Sequence, residues 1–294
     1  MKKVGIVVCF VLAICFGWVC QGYSGHGEKR AVKKAVLLVA FGTSIPRAQK
    51  VFDYIDKAVK KEFPGVEVRW AFTSRLIRKK LAGQGKFLDS PLLALSRLLE
   101  DGYTHVAVLS LHIIPGEEFH DLYVNAHKFT EMEEGFERLV VARPLLSSHD
   151  DLVRVARAMI KHFPEDRTKR DAVVLMGHGT AHHPSDFTYM AFNYLFWELD
   201  PLVFVGTVEG KPTVNDLLPK LKAAKVKKVY LIPFMSVAGD HAINDMAGDE
   251  PDSWKSIIEK AGIKAVPILK GLGEYPEVVA VWVDHLKRAF SHLD

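Results

Sequence analysis

AVVLMGHGTA, residues 172–181, echoes AVLLVAFGTS, residues 35–44. Setting one phrase on the other pairs Ala35 with Ala172, Leu38 with Leu175, Gly42 with Gly179 and Thr43 with Thr180, a separation of 137 residues. Each copy is an apolar run that ends in Gly-Thr. Such a run reads as a β-strand buried on both faces, and the glycine permits a tight turn into a following helix.

The repetition continues downstream. HVAVLSLHIIPGEE (105–118) matches KVYLIPFMSVAGDH (228–241) at a separation of 123, and the same spacing sets RPLL (143–146) on VPIL (266–269) as a fourth pair. VEVRWAFTSR (66–75) and PLVFVGTVEG (201–210) supply the remaining strand pair. Helical patterns lie between them. PRAQKVFDYIDKAVKKEF (46–63) opens with a proline suited to a first turn, and SPLLALSRLLEDG (90–102) opens with a serine cap. In the second half the helices are SDFTYMAFNYLFWEL (185–199) and TVNDLLPKLKAAK (213–225), the latter broken by Pro219. Strand and helix alternate throughout, which predicts an α/β protein of two similar Rossmann-like lobes. Each lobe carries a parallel four-stranded sheet flanked by helices, with a cleft between the lobes. The boundaries expected are 25–147 for the N-terminal lobe and 148–294 for the C-terminal one.

Residues 1–24 have a different character. Lys2 and Lys3 precede an almost wholly apolar run from Val4 to Val19, followed by the small residues Gly22 and Ser24. This is the pattern of a secretory signal peptide cleaved after Ser24, leaving a periplasmic protein with no stable membrane insertion. An uncleaved anchor is the alternative, and lipidation at Cys20 is disfavoured by the Gly17-Trp18-Val19 approach. All three cysteines, Cys9, Cys15 and Cys20, lie in this leader, so the mature chain has no disulfide, thiolate ligand or cysteine nucleophile. Losing Lys2 and Lys3 takes the formal charge from +4 to +2, too little to argue for nucleic acid.

In parallel α/β sheets ligands bind outside the carboxyl ends of the strands. Three residues of the second half are expected there: His178 after the first strand, Glu209 after the second and His241 beyond the third. Two imidazoles and a carboxylate suit a divalent first-row metal ion. Phe41, Arg75 and Glu118 occupy the equivalent places in the first half, so the duplicated halves are chemically unequal. His182 and His183 follow closely enough to join the site or line its rim. No His-Glu-x-x-His, dinucleotide or phosphate-loop motif, or Gly-x-Ser-x-Gly elbow follows any of the strands.

The Gly-His-Gly-Thr phrase at 177–180, AFGTS at 40–44, HIIPGEE at 112–118 and GDHAINDM at 239–246 together resemble the anaerobic cobaltochelatase family CbiK, over nearly the whole chain from Ala35 onward. That resemblance implies a ferrochelatase-like fold and a lyase that inserts Co2+ into sirohydrochlorin on the route to cobalamin. It implies His178 and His241 as metal-binding catalytic residues, with Glu209 as their acidic partner. Fe2+ is the nearest rival ion. An export leader is unusual for such an enzyme, so the likeness is to a periplasmic variant.

A polycarboxylate tetrapyrrole calls for cations and backbone N–H groups. Arg75, followed by Arg78, Lys79 and Lys80, is the expected cation, with Thr43, Ser44 and His182 on the binding surface and Phe41 packing against the macrocycle. His120 has no task in metal insertion. It reads as a surface histidine or, in a homo-oligomer that presents it across an interface, as an axial ligand of haem b. An exported metal- or haem-binding protein without turnover uses the same histidines and is the alternative function.

Overall fold

The computed structural model describes residues 30–294, so the signal-peptide reading of residues 1–24 lies outside the described residues. Val32–Asp294 form one compact unit. The first half runs β1 (Lys34–Ala40), α1 (Pro46–Glu62), β2 (Glu67–Phe72), α2 (Arg75–Ala82), α3 (Pro91–Glu100), β3 (His105–Ser110), α4 (Glu117–His127) and β4 (Arg138–Val141). The second half runs α5 (His149–Lys161), β5 (Asp171–Gly177), α6 (Phe187–Leu199), β6 (Val203–Thr207), α7 (Val214–Ala223), β7 (Lys228–Pro233), α8 (Trp254–Lys260), β8 (Lys264–Pro267) and α9 (Pro276–Ser291). Among the described residues no helix is long and apolar enough to cross a membrane.

Both sheets are parallel and share one topology, β2-β1-β3-β4 in the first and β6-β5-β7-β8 in the second. The registers reproduce the two sequence spacings: Lys34 pairs with His105 in the first sheet, and Asp171 pairs with Lys228 in the second. Four-stranded parallel sheets flanked by helices in each half are the architecture expected from the repeat.

Alternation along the central strands explains how the sheets are joined. Val36, Leu38 and Ala40 of β1 point into the same apolar cluster as Val173 and Leu175 of β5, together with Ile55 of α1, Met159 of α5, Phe192 of α6 and Trp282 of α9. The intervening residues Ala35, Leu37 and Val39 face a separate cluster under α3 and α4. Ala172, Val174 and Met176 likewise face a cluster under α7 and α8. The sheets therefore share an inner core, and each fully buried aliphatic side chain in it contributes about 1.5–3 kcal/mol. The outer edge of β6 is closed by a side chain: Asn193 of α6 donates to the Val205 carbonyl at 2.6 Å and accepts from the Val205 N–H at 2.7 Å.

Two local expectations are corrected. The fourth strands lie at Arg138–Val141 and Lys264–Pro267 rather than at 143–146 and 266–269. Pro144 has no N–H for a ladder, so the chain leaves the first sheet before it. Pro219 does not break its helix, because α7 continues through it. The missing bond would have gone to the Asn215 carbonyl, and both residues are exposed, so water can satisfy that group. Thr213 and Asp216 form a capping box that secures the start of α7.

The connection from β4 to α5 is tied to α9 by buried polar contacts. Asp151 accepts from His285 Nε2 at 2.9 Å and from Ser148 Oγ at 2.7 Å, and His285 Nδ1 meets the Arg143 carbonyl at 3.1 Å. Burial alone would push the Asp151 carboxyl up, but hydrogen bonds from Ser148, His285 and Ser147 and the charge of His285 hold it below its ordinary value. A carboxyl with a depressed folded pKa stabilises fully above its unfolded value of about 3.9, and that stabilisation disappears as pH falls through the folded value. Asp151→Ala is expected to lower the unfolding free energy by about 3–5 kcal/mol at neutral pH in denaturant titrations. Asp151→Asn should also flatten the loss of stability below pH 4.

Candidate functional site

The carboxyl ends of β1 and β3 from one sheet, and of β5, β6 and β7 from the other, open on one cavity of about 510 Å³. His178 follows β5 directly and stands between two glycines that cannot be replaced without displacement. A Cβ on Gly177 would lie 2.7 Å from Tyr189 Cε1, and one on Gly179, at φ +78°, would lie 2.6 Å from Thr207 Cβ. The segment after β6 continues alongside, with Val208 N–H donating to Gly177 O at 3.1 Å and Glu209 N–H to His178 O at 2.9 Å. These backbone bonds carry Glu209 to the side of His178.

His241 comes from the long segment after β7, at the start of a π-helical turn spanning Ala242–Met246. Its Nδ1 is hydrogen-bonded to Asp245 Oδ2. His178 Nδ1 bonds the Gly179 carbonyl at 3.0 Å. A carbonyl only accepts, so His178 Nδ1 carries the hydrogen and Nε2 of the neutral ring keeps its lone pair. The Asp245 carboxylate imposes the same tautomer on His241. The two rings stand 4.9 Å apart at 83°. At that separation each can bring a nitrogen to one ion at the ~2.0–2.1 Å usual for imidazole–metal bonds.

Glu209 Oε2 lies 3.9 Å from His178 Nδ1, behind the ring rather than beside its free nitrogen. Accordingly, among the described residues no three His, Cys, Asp or Glu side chains form a ready coordination set. The arrangement is a pair of adjacent imidazoles, the Nδ1 of His241 held by the Asp245 carboxylate and the Nδ1 of His178 held by the Gly179 carbonyl with Glu209 3.9 Å away.

Phe41 sits across the cavity, its ring 6.5 Å from that of His178. Thr43 and Ser44 also line the cavity, although Thr43 is buried and its Oγ1 accepts from the Ile45 N–H at 3.1 Å. Arg75 begins α2 and is exposed away from the cavity wall, where Lys80 stands instead. His182 is exposed and off the wall, and His183 caps a turn by accepting from the Ser185 N–H at 3.2 Å. His120 is exposed on α4, also off the wall.

Three groups escaped the sequence reading. His112, in the HIIPGEE run, lines the cavity with Nδ1 2.5 Å from Ser110 Oγ and Nε2 3.0 Å from Glu118 Oε2. Asp245 was detectable as a carboxylate four residues after His241 in what proves to be a helical turn. Asp186 is buried beneath the site, and burial raises its pKa against the opposing effect of N–H bonds from Lys211 and Thr180. Nothing in its local sequence marks it out.

Comparison with known proteins adds an independent line. The cobalt chelatase family CbiK matches residues 34–291. The chain is 44% identical over 262 residues to the sirohydrochlorin cobaltochelatase CbiKC of Nitratidesulfovibrio vulgaris strain Hildenborough, covering 89% of this chain and 92% of that protein. It is 40% identical to the sirohydrochlorin cobaltochelatase of Salmonella typhimurium strain LT2, covering 88% and 97% respectively. Among solved structures, the fold is similar to SirB from Bacillus subtilis with Fe3+, with a TM-score of 0.61 at 16% identity over 89% of this chain and 97% of that one. It is also similar to a cobalt complex of SirB from Bacillus subtilis subspecies spizizenii, with a TM-score of 0.59 at 14% identity over the same shares.

The contact beneath His178 can be tested without any ligand. Gly177→Ala drives a Cβ into the buried Tyr189 ring, so it should destabilise the protein by about 1–3 kcal/mol in denaturant unfolding.

Proposed function

The chain belongs to the cobalt chelatase family CbiK, and from that membership and the paired imidazoles at the cavity we propose that it inserts Co2+ into sirohydrochlorin. The observation that carries the reading is the approach of His178 and His241 to 4.9 Å with both outer nitrogens already engaged. Fe2+ is proposed as a competing ion, because nitrogen and oxygen donors do not separate the two.

Metallation needs the ion stripped of water, two pyrrole protons removed and the ring nitrogens brought within bonding distance. His178 and His241 replace water on the ion through Nε2. As the ion passes to the pyrrole nitrogens, each vacated Nε2 is a lone pair within reach of a pyrrole N–H. One divalent ion leaves two imidazoles and two protons arrive on them, so the charge held by the pair is unchanged. Asp245 behind His241 and Glu209 behind His178 stabilise the imidazolium forms. Phe41 offers an apolar face to the macrocycle, and Lys80 supplies a cation for its carboxylates. Glu118, backed by His112, places a third carboxylate on the opposite wall.

We also propose export through the apolar leader at residues 1–24, with processing after Ser24. Periplasmic fractions should then contain a chain whose N-terminal residue is Gly25. A chain retained in the cytoplasm at full mass would reject that reading.

The decisive assay supplies sirohydrochlorin with Co2+ or Fe2+ and follows the metallated product against the spontaneous reaction. His178→Ala and His241→Ala should each reduce the catalysed rate by about 10²–10⁴-fold. Both variants retaining the wild-type rate would overturn the assignment. Stoichiometric binding without acceleration would make the protein a carrier.

A further inference from the structure

Asp186 lies in the single turn Pro184–Asp186 that leads into α6, and only 8% of it is exposed. Its two oxygens are used separately. Oδ1 accepts the Thr180 N–H at 3.1 Å, two residues after His178, and Oδ2 accepts the Lys211 N–H at 3.0 Å, two residues after Glu209. One rigid carboxylate therefore spans the segment leaving β5 and the segment leaving β6, and its width sets how far apart they stand.

The neighbouring residues are shaped around this bridge. A Cβ on Gly210 would fall 1.6 Å from Asp186 Oδ2, and a Cβ on Gly179 would fall 2.8 Å from Gly210 N. The carboxylate itself is anchored from behind. Asn193, two turns along α6, is bonded to both backbone groups of Val205, and the Tyr189 ring fills the space under Gly177. The path from β6 through α6 to Asp186 is thus hydrogen-bonded or packed at each step.

Resting on the proposed metal role of His178, we propose that Asp186 is a positioning residue for metal delivery: it holds the His178 and Glu209 segments at the spacing that gives the site its affinity for Co2+. It touches neither the ion nor the tetrapyrrole. Its carboxylate gives each of the two N–H groups its own oxygen, and no neutral side chain of the same size offers two acceptor atoms in that position. Asp186→Asn keeps one oxygen and turns an NH2 group toward the other donor. Gly210→Ala leaves Asp186 in place but pushes its Oδ2 out of position, and so reaches the same bridge by another route.

The experiment titrates Co2+ alone into the full chain by calorimetry and measures KM for Co2+ and for sirohydrochlorin separately, using Asp186→Asn, Gly210→Ala and His178→Ala. Asp186→Asn and Gly210→Ala should weaken Co2+ binding and raise the Co2+ KM by about 10–100-fold while the sirohydrochlorin KM stays at its wild-type value. A merely structural role would lower both affinities together, and that result overturns the inference, as does wild-type Co2+ affinity in either folded variant. Should Asp186→Asn fail to fold, Gly210→Ala decides. Hydrogen exchange on the wild-type chain decides independently, since rapid exchange of the Thr180 and Lys211 amides would show that the bridge does not exist. If His178→Ala binds Co2+ as wild type does, the metal site itself is misassigned. If His178→Ala loses Co2+ while both bridge variants keep it, the Asp186 inference alone falls.

Discussion

Val36 and Leu38 of β1 and Val173 and Leu175 of β5 point into one apolar core, and the placing of the side chains that line the cavity follows from that shared burial. Two parallel sheets that expose apolar side chains on both faces must each be covered twice. Here one covering layer, built from α1, α5, α6 and α9, serves both sheets. The arrangement brings the carboxyl ends of strands from both halves onto the same cavity. Strand ends in such sheets carry unpaired backbone groups and loops free to vary, which is why chemistry collects there.

Duplication then becomes useful because it is imperfect. The same strand-glycine-threonine phrase presents Phe41 from one sheet and His178 from the other, with their rings 6.5 Å apart. One copy offers an apolar face and the other an imidazole, at corresponding strand ends of the two sheets. His112 and Glu118 on the first wall and His241 and Asp245 on the second show a related asymmetry: each pairs an imidazole with a nearby carboxylate, in different local structures. In both pairs the carboxylate governs which ring nitrogen holds a hydrogen, but the remaining nitrogen of His112 is taken by Ser110 Oγ at 2.5 Å.

Much of this was legible without coordinates. Buried parallel strands must be apolar along their whole length, so β1, β3, β5 and β7 announced themselves, and the two spacings of 137 and 123 carried the common topology. Residues that end those strands are placed by the chain itself, and His178, Glu209 and Phe41 were found that way. Edge strands were harder. β4 and β8 are each four residues long, with Pro144 beyond β4 and Pro267 closing β8, and the repeat alignment placed both strands too late in the chain. Arg75 was chosen over Lys80 because sequence locates the strand end but not the helical phase that turns one side chain toward the cavity.

Sequence alone determined the two equivalent α/β halves and the placing of His178 and His241 beyond the strands of the second sheet, because backbone burial and strand termini depend on residues close together in the chain. Only the tertiary structure decided which nitrogen of each ring is free, that Glu209 stands behind His178, and that Asp186 spans the two segments. Those facts rest on contacts such as Asp186 with Lys211, 25 residues away, and Gly177 with Tyr189, which form only when helices settle on the sheet. Hydrogen bonding is decided over a few tenths of an ångström, and no periodicity in a sequence fixes distances that fine.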